Sequence, residues 1–267
     1  MLSPDDTLYK DHTFSRQASA GAYKWFLDKT KFRSWLNSTD QSQNILWICG
    51  KPGAGKFTLM KSLLNSMEEK TLKLRGPAIA CFAFVAQDAG QGLTTILRTL
   101  LYQLLEKNPL APMSFPLSLN PVSCGLESKR DLSINDLRAY IDEALSAALR
   151  YSDVIWFIDG LDEVADEAEK ILHLLRCFPT PKRSSKILRI LISSCYYMET
   201  EERLCDPIID LQKENRADII AYLRAAYSQS LESNSSQRNS DSDFHNQQLY
   251  LREKVIRKVS EKAQGMF

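Results

Sequence analysis

The sequence predicts an α/β protein. We expect a three-layer sandwich in which helices cover both faces of a five-stranded, mainly parallel sheet, followed by C-terminal helices. Short apolar runs without polar alternation are typical of strands that are buried on both faces. Segments with helical spacing of apolar residues separate these runs, and this order favours parallel strands joined by crossover helices. A glycine-rich turn follows the first run, at the sheet edge where such folds bind ligands.

Individual elements follow from the same pattern. Strands are predicted at residues 45–49, 77–85, 153–158, 187–193 and 207–211. Helices are predicted at residues 57–67, 94–107, 133–150, 167–178, 215–227 and 248–262, with one or two short helices between 22 and 36. Ser133 and Asp136 have the spacing of a capping box, and Asn215 is expected to cap the helix that it begins.

The chain is divided into three parts. Residues 1–40 are expected to form a polar lead-in followed by short helices, residues 41–212 the α/β core, and residues 213–267 a C-terminal helical segment. The stretch 228–248 is rich in Ser, Asn, Gln and Asp, a composition typical of chain that buries little apolar surface. This stretch is therefore predicted to be a flexible insertion.

The composition is that of an ordinary globular protein. The chain has 267 residues, 44% of them hydrophobic, and a formal net charge of +1. A charge near zero gives no electrostatic case for nucleic-acid binding, and no apolar stretch approaches the roughly 20 residues that span a bilayer. Six cysteines without a C-x-x-C pair predict reduced, buried thiols in a cytoplasmic protein.

The first apolar run leads into a loop whose pattern is typical of phosphate binding. Residues 45–60 read ILWICGKPGAGKFTLM. Glycines let successive backbone N–H groups point at an anion, the helix N-terminus adds partial positive charge, and a lysine reaches the outer phosphates. The pattern G-x-x-x-x-G-K-[ST] is met at Gly50, Gly55 and Lys56 and fails at Phe57. The alternative is a plain turn between a strand and a helix.

A second, acidic element follows a later strand. Residues 154–163, VIWFIDGLDE, form an apolar run that ends in Asp159, with Asp162 and Glu163 close behind. In a P-loop NTPase such an aspartate holds the Mg²⁺ that bridges the β- and γ-phosphates, and a further acid orients the attacking water. The alternative for each is a carboxylate that caps a helix or a turn. Two strand-terminal elements of opposite charge together predict a P-loop NTPase fold with a nucleotide–magnesium site.

Several stretches resemble the NACHT domain, which belongs to the STAND class of P-loop signalling NTPases. GKPGAGKFT followed by FIDGLDE carries this resemblance. AYKWFLDKTKFRSWL with ILWICGKPG is similar to the nephrocystin-3-like N-terminal region of fungal NOD-like receptor proteins. Other parts of such proteins resemble three further stretches, ILRTLLYQLLEKNP, LQKENRADIIAYL and VSEKAQGMF. Because relatives of this kind continue into helical and repeat regions, the resemblance implies a NACHT core without its sensor repeats.

The resemblance also implies roles for individual residues. Asp159 matches the acid associated with Mg²⁺, and Asp162 and Glu163 match the acids near the attacking water. Two positions depart from the pattern, since Phe57 replaces a magnesium-binding hydroxyl and Cys195 replaces an arginine that relatives tend to place near the terminal phosphate. The residues expected to bind ATP, ADP or GTP are Gly50, Lys51, Pro52, Gly53, Ala54, Gly55, Lys56, Phe57 and Thr58.

These departures predict weak hydrolysis. Phe57 has no oxygen to offer a metal, and one step along a helix rotates the Thr58 side chain away from it by roughly 100°. Binding through backbone N–H groups and Lys56 depends on neither side chain, whereas hydrolysis needs an accurately placed metal and charge stabilisation. We therefore expect a cytoplasmic nucleotide-binding signalling domain that, if active, is a nucleoside-triphosphatase, with protein partners or self-association.

The alternative function is a non-catalytic interaction or scaffold domain with a degenerate nucleotide site. Phe57 and Cys195 favour it, whereas the intact glycines, Lys56 and Asp159 favour retained nucleotide affinity. A metabolic kinase or transferase is disfavoured because the sequence has no acceptor-substrate motif and no lid-like arginine cluster. The choice between ATP and GTP stays open, since the phosphate loop does not select the base.

Overall fold

A parallel five-stranded sheet forms the centre of the protein. The computed structural model describes residues 23–69, 74, 76–85, 92–108, 132–178, 185–195, 207–232 and 242–263. The strands are β1 (Ile45–Cys49), β2 (Ala78–Phe84), β3 (Asp153–Asp159), β4 (Leu188–Ser194) and β5 (Ile208–Asp210). They lie in the order β2-β3-β4-β1-β5, and each neighbouring pair is parallel. The predicted α/β fold is confirmed.

Helices surround this sheet. Those of the described ranges are α1 (Lys24–Asp28), α2 (Thr30–Asn37), α3 (Lys56–Glu68), α4 (Gly92–Lys107), α5 (Ile134–Ala148), α6 (Ala168–Arg176), α7 (Leu211–Glu214), α8 (Arg216–Glu232) and α9 (Ser242–Ala263). Two 3₁₀ turns, Gln41–Gln43 and Leu161–Glu167, precede β1 and α6. The capping box predicted at Ser133 and Asp136 is present at the start of α5.

Apolar clusters on the two faces of the sheet make the three layers. All five residues of β1 are buried, and alternate side chains enter opposite clusters because successive residues of a strand face opposite ways. Ile45 and Trp47 pack in the cluster formed with α4, α5 and α6. Leu46 and Ile48 pack in the cluster formed with α1, α2 and α3. This continuous apolar character is the physical origin of the runs seen in the sequence.

The short helices before β1 belong to the packed core. Phe26, Phe32 and Trp35 are each at most 3% exposed and lie in the same cluster as α3. Arg189 of β4 holds this segment from inside. Its guanidinium donates hydrogen bonds to the carbonyls of Trp35 (3.3 Å) and Ser38 (2.9 Å). The same group pairs with Asp153 at 3.4 Å, so the buried cation is compensated. Residues 1–20, the polar lead-in, lie outside the described ranges.

The C-terminal helices are longer than the sequence predicts. α8 continues to Glu232 and α9 begins at Ser242, so helix occupies both ends of the stretch 228–248 that is predicted to be flexible. Residues 233–241 lie outside the described ranges. Neither helix contains glycine or proline, and Gln, Leu and Glu are good helix formers. The predicted flexibility of the stretch stays a prediction.

The described cysteines are free thiols. Cys49, Cys81 and Cys195 are buried as predicted, whereas Cys177 is exposed. Cys177 caps the C-terminal end of α6, two residues after the buried Leu175. Within the described ranges, no helix combines the length and the apolar character needed to cross a membrane.

Two side chains from α4 protect the edge strand β2. The Gln103 carboxamide accepts a hydrogen bond from the Phe82 N–H (2.8 Å) and donates one to the Phe82 carbonyl (2.6 Å). The Lys107 ammonium donates to the Ala80 carbonyl at 2.9 Å and to Glu68 at 3.0 Å. A carboxamide that pairs with both backbone groups of one residue makes the hydrogen bonds that a neighbouring strand would make. Strand edges without such partners can pair with other chains and aggregate.

Replacing Gln103 by methionine should therefore destabilise the protein. The buried N–H and carbonyl of Phe82 would lose their partner, and we expect the free energy of unfolding to fall by about 1–3 kcal/mol. Urea denaturation followed by circular dichroism measures this change. The exposed Glu106 on the same helix gives the control, because Glu106→Met should stay within about 0.5 kcal/mol of wild type. Equal stabilities of the two variants would contradict the assignment of Gln103 as an edge cap.

Candidate functional site

The candidate site lies at the carboxyl edge of the sheet. The ends of β1 and β4 are paired, with Cys49 opposite Ser194, and β3 lies on the other side of β4. The residues that follow the adjacent strands β3, β4 and β1 therefore lie close together. These are the loop that begins at Gly50, the segment at Asp159, and Cys195. The topology thus brings together the two elements that the sequence singles out, because parallel strands all end at the same edge.

The loop between β1 and α3 curves as a phosphate loop does. The Ala54 N–H donates to the Lys51 carbonyl at 3.1 Å and closes a turn. Gly53 (φ 79°) and Gly55 (φ 86°) lie in the left-handed region, where a side chain would be strained. A Cβ added to Gly50 would lie 3.0 Å from the Cβ of Ala54, so the loop also needs a small residue at its start. Lys51, Pro52 and Gly53 are exposed, and Ala54 is buried.

Lys56 closes this loop from the helix side. It is the first residue of α3, and its ammonium donates to the carbonyls of Gly50 (2.7 Å) and Lys51 (3.2 Å). The same nitrogen lies 3.7 Å from the Cys195 sulfur. The cation is therefore held at the mouth of the loop beside the helix N-terminus, where anions are stabilised.

Asp159 is a buried carboxyl group at the end of β3. It is 4% exposed and accepts a hydrogen bond from the Ser193 hydroxyl, which in turn accepts one from the Gly160 N–H at 3.2 Å. Burial raises the pKa of Asp159 to about 6, opposed by the Ser193 hydrogen bond and the Lys56 charge. The charges of Asp162 and Glu163 raise the pKa further. The free protein thus keeps an acid in a poorly solvated position.

The two acids after Asp159 have different surroundings. Asp162 is half-buried, and its carboxylate accepts a hydrogen bond from the Cys195 N–H at 3.1 Å. Glu163 is exposed, and its N–H closes a turn onto the Gly160 carbonyl at 2.9 Å. Asp162 therefore ties the segment after β3 to the end of β4, and Glu163 presents its side chain to solvent.

The Phe57 and Thr58 side chains both contact aromatic residues. The Phe57 ring makes edge contacts with Phe82 (centroids 6.2 Å apart) and Phe84 (6.4 Å), and it belongs to the apolar cluster on that face. The Thr58 side chain hydrogen-bonds Tyr23. The structure thus places neither side chain as an oxygen donor to a metal in the loop.

Three positioning contacts lie beyond the reach of the sequence motifs. Ser193 is the hydrogen-bond donor to Asp159. Asn215, expected only as a helix cap, is fully buried and donates from its side chain to the Ala54 carbonyl at 2.9 Å. Tyr23 donates to the Gly55 carbonyl at 3.3 Å. For Ser193 the sequence offers one signal, a polar residue near the end of an otherwise apolar strand. The other two contacts join distant parts of the chain and leave no local signal.

The donor set at this edge of the sheet is compatible with a Mg²⁺ ion that is bound partly through a ligand. Within the part of the chain that the structure describes, no cluster of three or more His, Cys, Asp or Glu side chains has metal-binding geometry. Mg²⁺ keeps several waters and is usually bound through one or two carboxylates and substrate phosphates. Asp159 is the carboxylate that would supply such a contact, and Phe57 removes the hydroxyl that would supplement it.

A parallel α/β sheet with a phosphate loop after its first strand defines the P-loop NTPase class of fold. The chain matches the family described as "Nephrocystin 3, N-terminal" over residues 21–195, more than half of its length, and it belongs to that family. It is also 25% identical over 188 residues to the vegetative incompatibility protein HET-E-1 of Podospora anserina. These findings confirm the resemblance to the NACHT-like region of fungal NOD-like proteins, and they support a nucleotide-binding domain.

The matched regions differ in extent. The alignment with HET-E-1 covers 68% of this chain and 13% of that protein, so the chain spans a small part of its relative. Among solved structures, Cdc6p from Pyrobaculum aerophilum has a TM-score of 0.47 at 15% identity, covering 84% of this chain and 51% of that one. Drosophila ORC bound to DNA has a TM-score of 0.47 at 16% identity, covering 84% and 55%.

Proposed function

We propose that this chain is a NACHT-type signalling domain that binds a nucleoside triphosphate, ATP or GTP, with Mg²⁺ and hydrolyses it weakly. One observation carries the proposal. The Lys56 ammonium lies at the mouth of a loop with two left-handed glycines, at a helix N-terminus and within electrostatic reach of Asp159. Backbone N–H groups, a lysine and a helix N-terminus together favour a polyphosphate.

In this proposal each part of the site has a separate task. Residues Gly50 to Thr58 supply the loop and its first helical turn, and Lys56 meets the outer phosphates. Asp159 would hold the magnesium, whose charge supplies electrophilic assistance at the phosphates. Asp162 and Glu163 would contact the attacking water. A cytoplasmic location and protein partners or self-association belong to the same proposal.

Weak hydrolysis follows from two absent groups. The Phe57 ring packs against Phe82 and Phe84 and offers the metal no oxygen. Cys195, whose sulfur lies near Lys56, adds no positive charge where the relatives' arginine would face the terminal phosphate. Charge stabilisation of this kind contributes orders of magnitude to phosphoryl transfer.

The test is isothermal titration of the chain with ADP and ATP, each with and without Mg²⁺. We expect saturable binding that is lost in Lys56→Ala, because the variant removes the cation at the loop. Lys170→Ala, which removes an exposed lysine of α6, is the matched control and should bind as wild type does. Absence of binding by a wild-type protein with intact circular dichroism would overturn the proposal.

A second candidate is a non-catalytic interaction domain with a degenerate nucleotide site. The observation that favours it is the apolar packing of Phe57, because this half-buried side chain packs against the core cluster of that face. This candidate predicts that Lys56→Ala leaves every ligand-binding property unchanged. The titration described above separates the two candidates.

A further inference from the structure

The phosphate loop is held from behind by two distant parts of the chain. Asn215 donates to the Ala54 carbonyl at 2.9 Å, and Tyr23 donates to the Gly55 carbonyl at 3.3 Å. Both side chains are buried, with exposed fractions of 0% for Asn215 and 4% for Tyr23. The two contacts fall on consecutive peptide groups, directly before the first residue of α3.

These contacts determine where the loop N–H groups point. In a trans peptide the carbonyl and the following N–H point in opposite directions. Holding the Ala54 carbonyl therefore turns the Gly55 N–H away from Asn215. Holding the Gly55 carbonyl likewise turns the Lys56 N–H away from Tyr23. These are two of the donors that a phosphate loop offers. The Gly55 carbonyl also accepts the Leu59 N–H of α3 at 2.9 Å, so Tyr23 reinforces a position that the helix already favours. Asn215 holds the Ala54 carbonyl from outside the motif.

Asp218 joins the two supports to each other. Its carboxylate accepts hydrogen bonds from the Tyr23 N–H (3.3 Å) and from the Trp25 indole N–H, and it lies in the first turn of α8. Asn215 begins the same helix, because its carbonyl accepts the Ile219 N–H at 3.0 Å. The start of α8, the segment before α1 and the phosphate loop thus form one buried polar network.

Backbone strain within this network supports a positioning role. Tyr23 has φ 62° and ψ 9°, and it is the one non-glycine residue with positive φ in the described ranges. Such a conformation is strained for a residue with a side chain, and it persists only where surrounding contacts determine it. Here the backbone N–H is held by Asp218 and the hydroxyl by the loop.

We propose that Asn215 and Tyr23 are positioning residues that hold the Gly55 and Lys56 N–H groups in phosphate-binding orientation, and that they couple phosphate binding to the docking of α8. This inference rests on the proposed nucleotide binding. Coupling of this kind is reciprocal, so a ligand in the loop should also strengthen the start of α8.

The experiment compares apolar variants of similar shape. Asn215→Leu removes the donor to Ala54, and Gln103→Met removes another buried carboxamide, which hydrogen-bonds the backbone of edge strand β2 instead of the loop. Tyr23→Phe removes a single hydroxyl, and it tests the same inference if Asn215→Leu does not fold. Its control is Tyr140→Phe, which alters a half-buried tyrosine of α5. The probes are ADP and inorganic pyrophosphate without Mg²⁺, so that the metal site does not contribute.

We expect Asn215→Leu and Tyr23→Phe each to weaken both probes roughly tenfold, which corresponds to about 1.4 kcal/mol. The two controls should bind as wild type does. Unchanged affinity in Asn215→Leu and Tyr23→Phe would overturn the inference while leaving nucleotide binding intact. Equal weakening in Gln103→Met would also overturn it, because the effect would then report general destabilisation.

A second readout needs no ligand. ¹⁵N relaxation of the free proteins should show lower order parameters at Gly55 and Lys56 in Asn215→Leu than in wild type or Gln103→Met. If wild type binds neither probe, the proposed function fails, and the order parameters still decide the positioning role. Unchanged order parameters in Asn215→Leu would then overturn it.

Discussion

Asp159→Asn is expected to stabilise the free protein at neutral pH and to remove the magnesium response that the proposed function implies. The carboxyl group of Asp159 is almost completely buried, and burial raises its pKa from 3.8 to about 6. The folded state therefore binds this proton more tightly than the unfolded state does. One pKa unit corresponds to about 1.4 kcal/mol, so ionised Asp159 lowers the free energy of unfolding by up to about 3 kcal/mol at neutral pH.

The sign of this effect gives a distinctive pH dependence. Between about pH 4 and pH 6 the folded state holds more protons, and stability falls as the pH rises through this window. Above pH 6 both states are ionised and the contribution is constant. Wild type and Asp159→Asn should thus have similar stability near pH 4 and differ by about 2–3 kcal/mol at pH 7.5. Urea denaturation of both proteins across this range measures the difference.

Asp136 provides a control of opposite sign. Hydrogen bonds from Ser133 lower the pKa of this exposed capping carboxylate, so its contribution is present at neutral pH and lost as the pH falls. Asp136→Asn should therefore destabilise the protein at neutral pH. If Asp159→Asn is less stable than wild type at every pH, the carboxylate is a structural group, and the case for a cation site at the end of β3 fails.

A group that destabilises the free protein and lies beside a phosphate loop is typical of a binding site. An uncompensated charge in a binding site lowers the stability of the free protein, and the bound ligand then compensates that charge. For this reason Mg²⁺ with nucleotide should raise the unfolding temperature of wild type more than that of Asp159→Asn.

The sheet and the central site residues follow from the sequence because their signals are local. Five apolar runs predict five strands, and parallel pairing then brings Asp159 and the phosphate loop to one edge without any knowledge of side-chain contacts. The polar network behind the loop could not be predicted in this way. Asn215 and Ala54 are far apart in the chain, and nothing in the local pattern around Asn215 distinguishes a helix cap from a support for a loop.

The same limit applies to Phe57. Its lack of an oxygen is evident from the motif, but the direction of its ring depends on Phe82 and Phe84, which belong to strand β2 and not to its own helix. The C-terminal helices show a different limit. The polar composition of residues 228–248 predicts flexibility, whereas the absence of glycine and proline there permits helix, and the pattern alone does not weigh these two tendencies.

Phe57→Ser should lower the free energy of unfolding and make ATP binding more dependent on Mg²⁺. The half-buried ring packs against two phenylalanines, and the Lys61 ammonium lies 5.9 Å from its centre. Full burial of a phenylalanine contributes about 3–5 kcal/mol relative to alanine, so we expect this half-buried ring to contribute about 2 kcal/mol. The serine hydroxyl, in return, would supply the oxygen that the phosphate-loop motif places after its lysine.

Phe57→Leu separates the two effects. Leucine keeps an apolar side chain against Phe82 and Phe84 but has no oxygen, so it should retain most of the stability and gain no response to Mg²⁺. In Phe57→Ser we expect Mg²⁺ to tighten ATP binding tenfold or more, measured by titration with and without the metal. If both variants respond to Mg²⁺ as wild type does, the missing hydroxyl does not limit the site. Cys195, or wider decay of the site towards an interaction domain, would then have to explain the weak hydrolysis that we propose.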